Sequence, residues 1–317
     1  MATERRSISR MDSDILLESG TNELEIMEFT IAGNIFGINV AKITEIKQYE
    51  AVTPMPHSHP SIEGVFKPRD LIITVVDLAA YMGLPASENN ERDMFIITNF
   101  NKMHMAFHVH TVEGIHRITW NHIEKPDSTI YGGMEGLATG IAKVSDRGTD
   151  KLITIMDFEK IIFDISPQTG IQLSEISDLG PRERSQKPIL IAEDSALLKK
   201  LILEAVHEAG YANVSSFTNG KEAWDSLVSI KEELKAGAQL ADKIACVITD
   251  IEMPQMDGHR LTKLIKDDPI LREVPVIIFS SLINEAMRVK GEELGANAQL
   301  SKPEIGRLVE TMDKIIL

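Results

Sequence analysis

Cys246-Val247-Ile248-Thr249-Asp250-Ile251-Glu252-Met253-Pro254 is a short apolar run, rich in β-branched residues, that ends in a carboxylate. Pro254 and then Asp257-Gly258 turn the chain at once. Such a run reads as a buried strand, and an acid at its C-terminal edge stands where open α/β sheets bind ligands. Around it, from Pro188 onward, strand and helix patterns alternate. Ile189 to Ala192, Val214 to Phe217, Ala245 to Asp250, Val274 to Ser280 and Ala298 to Leu300 read as strands. Ser195 to Ala209, Lys221 to Lys235, Gly258 to Lys266, Glu285 to Leu294 and Glu304 to Ile316 read as helices. Five strand–helix units imply an α/β fold, a parallel sheet with helices on both faces.

That order brings chemistry to one sheet edge. Glu193 and Asp194 end the first strand and Asp250 ends the third, which is its neighbour in such a sheet. Three convergent carboxylates repel one another unless a cation is present. A wet, partly carboxylate site suits Mg²⁺. Ser280 ends the fourth strand with a hydroxyl and Lys302 follows the fifth with an ammonium. Acids, metal, hydroxyl and lysine around one Asp fit a carboxylate nucleophile that attacks phosphorus. Metal and lysine would offset charge on the transferring group. Each residue alone has a plainer reading, a helix cap for the Asp and a solvated tip for the Lys; their joint placement at the strand ends is the signal.

The upstream half follows a different pattern. Leu24, Ile26, Phe29 and Ile31 alternate, Ala32-Gly33-Asn34 turns, and Ile35 to Val40 reads as the returning strand. Three prolines between Pro54 and Pro60 exclude helix and central strand. Leu71 to Leu78, Met94 to Thr98 and Met105 to Val109 resume strand chemistry. Leu152 to Phe158 echoes Leu71 to Leu78: each is an apolar strand that closes on Asp and runs into a short helix. Short strands with frequent turns mean an all-β barrel or sandwich, here with two similar halves. The glycine-rich run Tyr131 to Gly140 lacks the Lys-Ser/Thr and helix start of a phosphate loop and reads as loop. His108 and His110 would share a strand face, but no Cys or carboxylate cluster supports zinc there. The domain divisions expected are an arm over residues 1–21, a β domain over 22–165, a linker over 166–187 and the α/β domain over 188–317. The arm carries a short amphipathic piece, Met11 to Glu18, and the linker a short helix near Ile171 to Leu179.

The totals set limits. At 317 residues, with 43% hydrophobic and 26% charged residues, two cores are within reach. A net charge of −15 disfavours nucleic acid and anionic membrane surfaces. The single Cys246 lies in a strand pattern and reads as a small buried residue. No apolar run nears a membrane span, and Met1 leads into no signal-type core, so a cytoplasmic protein is expected.

On those residues, 188–317 resembles a response-regulator receiver domain, similar to CheY, with a flavodoxin-like five-stranded parallel sheet. The resemblance implies Asp250 as phosphoacceptor and Glu193, Asp194, Asp250 and the backbone carbonyl of Glu252 around Mg²⁺. It further implies Ser280 as switch hydroxyl, Lys302 as phosphoryl contact and a cis Lys302–Pro303 peptide. One position departs: Gln299 stands where receivers commonly carry Tyr or Phe, which puts an aromatic rotamer switch in doubt. Residues 23–165 resemble the CheW coupling domain, two intertwined SH3-like barrels, through Ile62 to Leu71 running into Ile73 to Leu78. Lys67-Pro68-Arg69-Asp70 replaces that family's usual Asn-Leu-Arg-Gly, and this version, with the Pro54 to Pro60 stretch, is similar to CheV. By position, Ile43, Glu45, Gly64 and Arg69 would bind partners, with core packing and a tight turn as the plainer reading of Ile43 and Gly64.

The resemblance implies a non-enzymatic chemotaxis scaffold in the cytoplasm, associated with membrane-bound receptor arrays. Its partners would be the histidine kinase CheA, the chemoreceptor tips and CheW. The receiver would regulate coupling, or alternatively act as a phosphate sink competing with CheY. A hydrolase reading lacks the second Asp two residues on, since position 252 is Glu. A DNA-binding regulator is disfavoured by the charge and by the absence of an expected further domain.

Overall fold

The computed structural model describes residues 23–317 except 69–70, 101–102, 125–136, 147–148, 182–183 and 284. The N-terminal arm, Arg69, most of the glycine-rich run and two linker residues therefore lie outside the described residues. The first half comprises β1 (Glu23–Ile31), β2 (Asn34–Asn39), a 3₁₀ turn (Val40–Lys42), β3 (Ile43–Gln48), β4 (Ile62–Phe66), β5 (Ile73–Asp77) and α1 (Leu78–Met82). It continues with β6 (Met94–Phe100), β7 (Met103–Val109), β8 (Thr111–Thr119), β9 (Ile123–Glu124), β10 (Ala138–Asp146), β11 (Thr149–Met156) and α2 (Phe158–Ile165). These strands form a six-stranded sheet, β8-β1-β2-β11-β10-β9, and a five-stranded sheet, β3-β6-β7-β5-β4. The all-β reading holds.

The echo between the two halves is structural. β5 runs parallel to β7, with Thr74 opposite Met105, and β11 runs parallel to β2, with Thr154 opposite Phe36. Each then enters a helix capped by its terminal acid: Asp77 accepts from the Ala80 amide and Asp157 from the Lys160 amide. Such caps satisfy amides that the helix itself leaves unpaired. A shared core of Phe29, Phe36, Phe107 and Phe158 packs between the sheets. β8 and β10 were not expected. β8 (TVEGIHRIT) buries only Ile118, so its apolar alternation is too weak to read.

The second half comprises β12 (Ile189–Ala192), α4 (Ala196–Glu208), β13 (Val214–Phe217), α5 (Gly220–Lys235), α6 (Leu240–Lys243) and β14 (Cys246–Thr249), preceded by α3 (Ser174–Asp178). Then follow α7 (Gly258–Asp267), β15 (Val276–Ser280), α8 (Glu285–Glu293), β16 (Ala298–Ser301) and α9 (Ile305–Ile316). All five strands are parallel in the order β13-β12-β14-β15-β16. Ile189, Ile191, Ile248 and Ile277 face α4 and α9, while Leu190, Val247 and Val276 face α5 and α7. Each fully buried side chain of this kind contributes about 1.5–3 kcal/mol. The short helix α6 is additional to the expected elements.

Within the stretch expected as a linker, α3 falls where a short helix was expected and packs on the α/β domain. Ile171 and Ile176 insert into the core of the α/β domain, and the Gly306 amide at the start of α9 donates to Glu175. Of the two isoleucines, Ile176 lies on α3 and Ile171 just before it. Among the described residues, no helix is long and apolar enough to cross a membrane.

Candidate functional site

Register places the acids together. Ala192 pairs with Thr249, so Glu193 and Asp250 leave adjacent strands one residue later. One ligand oxygen each of Glu193, Asp194 and Asp250 lies within 4.8 Å of the others. Gly258 allows the sharp turn that follows: a Cβ there would sit 1.9 Å from the Asp250 carbonyl oxygen. Lys302 follows β16 and reaches back across the edge. Its Nζ donates to Asp250 Oδ2 at 2.8 Å and lies 2.7 Å from Glu193 Oε2. Asp250 Oδ1 accepts from the Ile251 amide at 2.6 Å. Ser280 is buried at the end of β15, its Oγ accepting from the Leu282 amide at 3.3 Å. The Lys302–Pro303 peptide is cis. The five side chains singled out at the strand ends are thus brought to one edge.

Electrostatics describe a site short of positive charge. Burial, opposed by Lys302, pushes the Glu193 carboxyl well above its usual range, and Asp250 and Asp194 add to that. Asp194 is pushed well up by burial and then by Asp250. Burial alone would lower the Lys302 ammonium, but Asp250 and Glu193 outweigh it and hold it well above its ordinary value. Acids that resist ionisation together are the expected donor set for a hard divalent ion, so these residues fit Mg²⁺.

The β domain completes this edge with side chains that the sequence did not single out. Lys42, from the 3₁₀ turn after β2, lies 3.3 Å from Glu252 Oε2 and 3.5 Å from Glu159 Oε1. Burial lowers Lys42, yet Glu252, Glu159, Asp194 and Asp157 together raise it above the ordinary lysine value. Glu159, in the first turn of α2, accepts from Ser281 Oγ at 2.9 Å and lies 3.9 Å from Lys302. Burial would raise Glu159, but Lys302 and Lys42 hold it below the usual range. Asn39 donates to Glu252, and Ser195 Oγ donates to Asp157 at 3.0 Å. Burial pushes Glu252 up to about 7 against the pull of Lys42. The echoing Asp157 was visible in the sequence as the acid that closes an apolar strand. Nothing local to Lys42 or Glu159 marks either one, since their partners lie far away in the chain.

The residues expected to bind partners are dispersed. Glu45 is exposed on β3, while Ile43 is half-buried against the β-domain core. Gly64 has φ +150, and a Cβ there would meet the Thr53 carbonyl oxygen at 2.2 Å, so the backbone itself requires glycine. Arg69 lies outside the described residues. His108 does not pair with His110. It is buried between Glu63 and Asp93, 2.9 Å from each, and Glu63 also accepts from Tyr49 at 2.6 Å. Burial would lower His108, but those two carboxylates outweigh it and raise it. Both acids come from distant segments, which is why no cluster showed in the sequence.

Residues 25–165 match the family profile described as CheW-like domain, and residues 189–313 that of the response regulator receiver domain. Chemotaxis protein CheV3 of Helicobacter pylori is 28% identical over 305 residues, covering 93% of this chain and 95% of that protein. Chemotaxis protein CheW of Thermotoga maritima is 28% identical over 155 residues, 49% of this chain and 98% of its own. Chemotaxis protein CheY1 of Helicobacter pylori is 26% identical over 129 residues, 41% of this chain and 95% of its own.

Proposed function

This chain is a CheW-like domain followed by a response regulator receiver domain, the arrangement of CheV-type chemotaxis proteins, and on that premise we propose that it couples chemoreceptors to the histidine kinase CheA under control of phosphorylation at Asp250. Residues 22–165 act as the coupling domain, 166–187 as connection and 188–317 as the switch. The protein works in the cytoplasm at receptor arrays, as a scaffold rather than an enzyme, with CheW as a further partner. The observation that carries the reading is Asp250 between Glu193, Asp194 and Lys302 at the sheet edge.

In the transfer, an Asp250 carboxylate oxygen attacks phosphorus of the kinase phosphohistidine. The O–P bond forms as the N–P bond breaks, and the imidazole nitrogen keeps the electron pair and takes up a proton. Lys302, already bonded to Asp250, offsets charge on the arriving phosphoryl group. The Ser280 hydroxyl donates to a phosphoryl oxygen once it is in place. Mg²⁺ held by Glu193, Asp194, Asp250 and the Glu252 carbonyl would supply further positive charge. On the coupling domain, Ile43, Glu45, Gly64 and Arg69 would contact receptor and kinase.

Reconstituted receptor–kinase complexes test this. Kinase output should depend on the full chain and shift when Asp250 is phosphorylated. Asp250→Asn should still support coupling but remove the shift. An Asp250→Asn protein whose output shifts as the wild type does would overturn the reading.

A further inference from the structure

We propose that the coupling domain plugs the receiver's phosphorylation site, with Lys42 and Glu159 standing in for the cation and the phosphoryl anion that the site takes up when activated. The inference rests on Asp250 as phosphoacceptor and concerns how that site is regulated.

Four of the five side chains of the site described above are buried, and Asp194 is half-buried. Asp250 is 5% exposed, Glu193 and Lys302 each 1%, and Ser280 2%. A phosphodonor must place phosphorus within about 3–3.5 Å of the attacking oxygen. That approach is blocked while the coupling domain covers the edge. The covering side chains have complementary charges. Lys42 brings an ammonium to the acid side, 3.3 Å from Glu252 Oε2. Glu159 brings a carboxylate to the side of Lys302 and Ser281, where an anionic phosphoryl group would be received. Two bonds flank the pair, Asn39 to Glu252 and Ser195 to Asp157.

This contact is built for release. The cores of the two domains are separate clusters, and the contacts at the acids are ionic or hydrogen-bonded, while Phe100, Ile162 and Phe163 share a small apolar pocket with Leu198 and Pro303 beside them. Polar contacts of this kind between domains permit relative motion. A phosphoryl group adds roughly −1.5 to −2 charges beside Glu159, and a divalent ion at the acids repels Lys42. Both changes act against the plug. The side chain at Gln299 is engaged elsewhere, donating to the Arg288 carbonyl at 2.7 Å. The signal therefore has a route that needs no aromatic switch: from the active-site edge through Lys42 directly into β3, which carries Ile43 and Glu45.

The test is an interdomain distance in the full chain, read by pulsed electron resonance from spin labels at Lys143→Cys and Lys200→Cys. Both positions are exposed, and Cys246 is buried. The unliganded protein should give one narrow distance, and Mg²⁺ with beryllium fluoride, a phosphoryl mimic, should broaden and lengthen it. Lys42→Ala and Glu159→Gln should be broadened without ligand. Lys42→Ala should bind Mg²⁺ about tenfold more tightly by calorimetry, while Lys42→Arg should behave as the wild type. The proposal is overturned if both variants keep the wild-type distance and Lys42→Ala keeps its Mg²⁺ affinity. It is also overturned if beryllium fluoride binds at Asp250, seen by fluorine resonance and lost in Asp250→Asn, while the distance stays fixed; the phosphoacceptor reading then survives. If beryllium fluoride binds neither wild type nor Lys42→Ala, the phosphoacceptor reading fails and the plug fails with it.

Discussion

Replacing Lys302 by Met should destabilise the receiver in a pH-dependent way. The ammonium is 1% exposed and lies 2.7 Å from Glu193 and 2.8 Å from Asp250. Each contact has a gross Coulomb energy of about 6 kcal/mol at an effective dielectric of ~20. Desolvation of the ammonium offsets most of that. Removing one member of a buried ionic set costs about 3–5 kcal/mol, because the remaining charges stay buried. The acids can escape by taking up a proton. Glu193 already lies well above the ordinary carboxylate range, and Lys302 is the cation that pulls it down. A carboxyl whose folded value exceeds its unfolded one binds protons more tightly when folded. Its contribution to stability falls as pH rises from about 4.5 through the raised value. Without Lys302 that fall is steeper, so the loss should be about 3 kcal/mol or more at pH 8 and distinctly smaller at pH 5. Urea unfolding followed by Trp224 fluorescence, in a Trp120→Phe background, reads the receiver alone. A loss below about 1 kcal/mol at pH 8, as an exposed pair would give, refutes the reasoning. So does a loss equal at both pH values.

Gly258→Ala forces a Cβ against the Asp250 carbonyl, and should lower receiver stability by about 3 kcal/mol or abolish soluble expression, measured by urea unfolding. The His108 network has its own pH window. His108 is raised, so its contribution is full below about 6.5 and fades as pH rises through the folded value. Glu63 is held down, chiefly by His108 and Tyr49 against its burial, so its contribution is full above 4.5 and fades as pH falls through the folded value. His108→Ala should therefore cost most, about 2–4 kcal/mol, between pH 4.5 and 6.5, checked by unfolding across pH. Ser195→Ala removes both the cap on the Leu198 amide and the bond to Asp157, and should cost about 1 kcal/mol, with faster amide exchange at Leu198.

Much of the receiver was legible because its chemistry is local to strand ends. Asp250, Glu193 and Lys302 sit where apolar strands stop, and parallel topology alone makes them neighbours. The β domain was harder. β8 carries His116 and Arg117 on a half-exposed surface, so its alternation is blurred. The Ile171 and Ile176 contacts depend on a core that the connecting stretch does not itself contain. Lys42 shows the limit most clearly. Its meaning lies in Glu252, more than two hundred residues away, and no periodicity or spacing links the two.

The central claim is that Asp250 carries the phosphoryl group. Phosphorylating the full chain with phosphorylated kinase and Mg²⁺, trapping the acyl phosphate with borohydride and locating it by peptide mass spectrometry tests this most directly. Reduction should fall on Asp250, in the tryptic peptide from Ile244 to Arg260, and vanish in Asp250→Asn. A modified residue elsewhere, or an unchanged signal in Asp250→Asn, would contradict it.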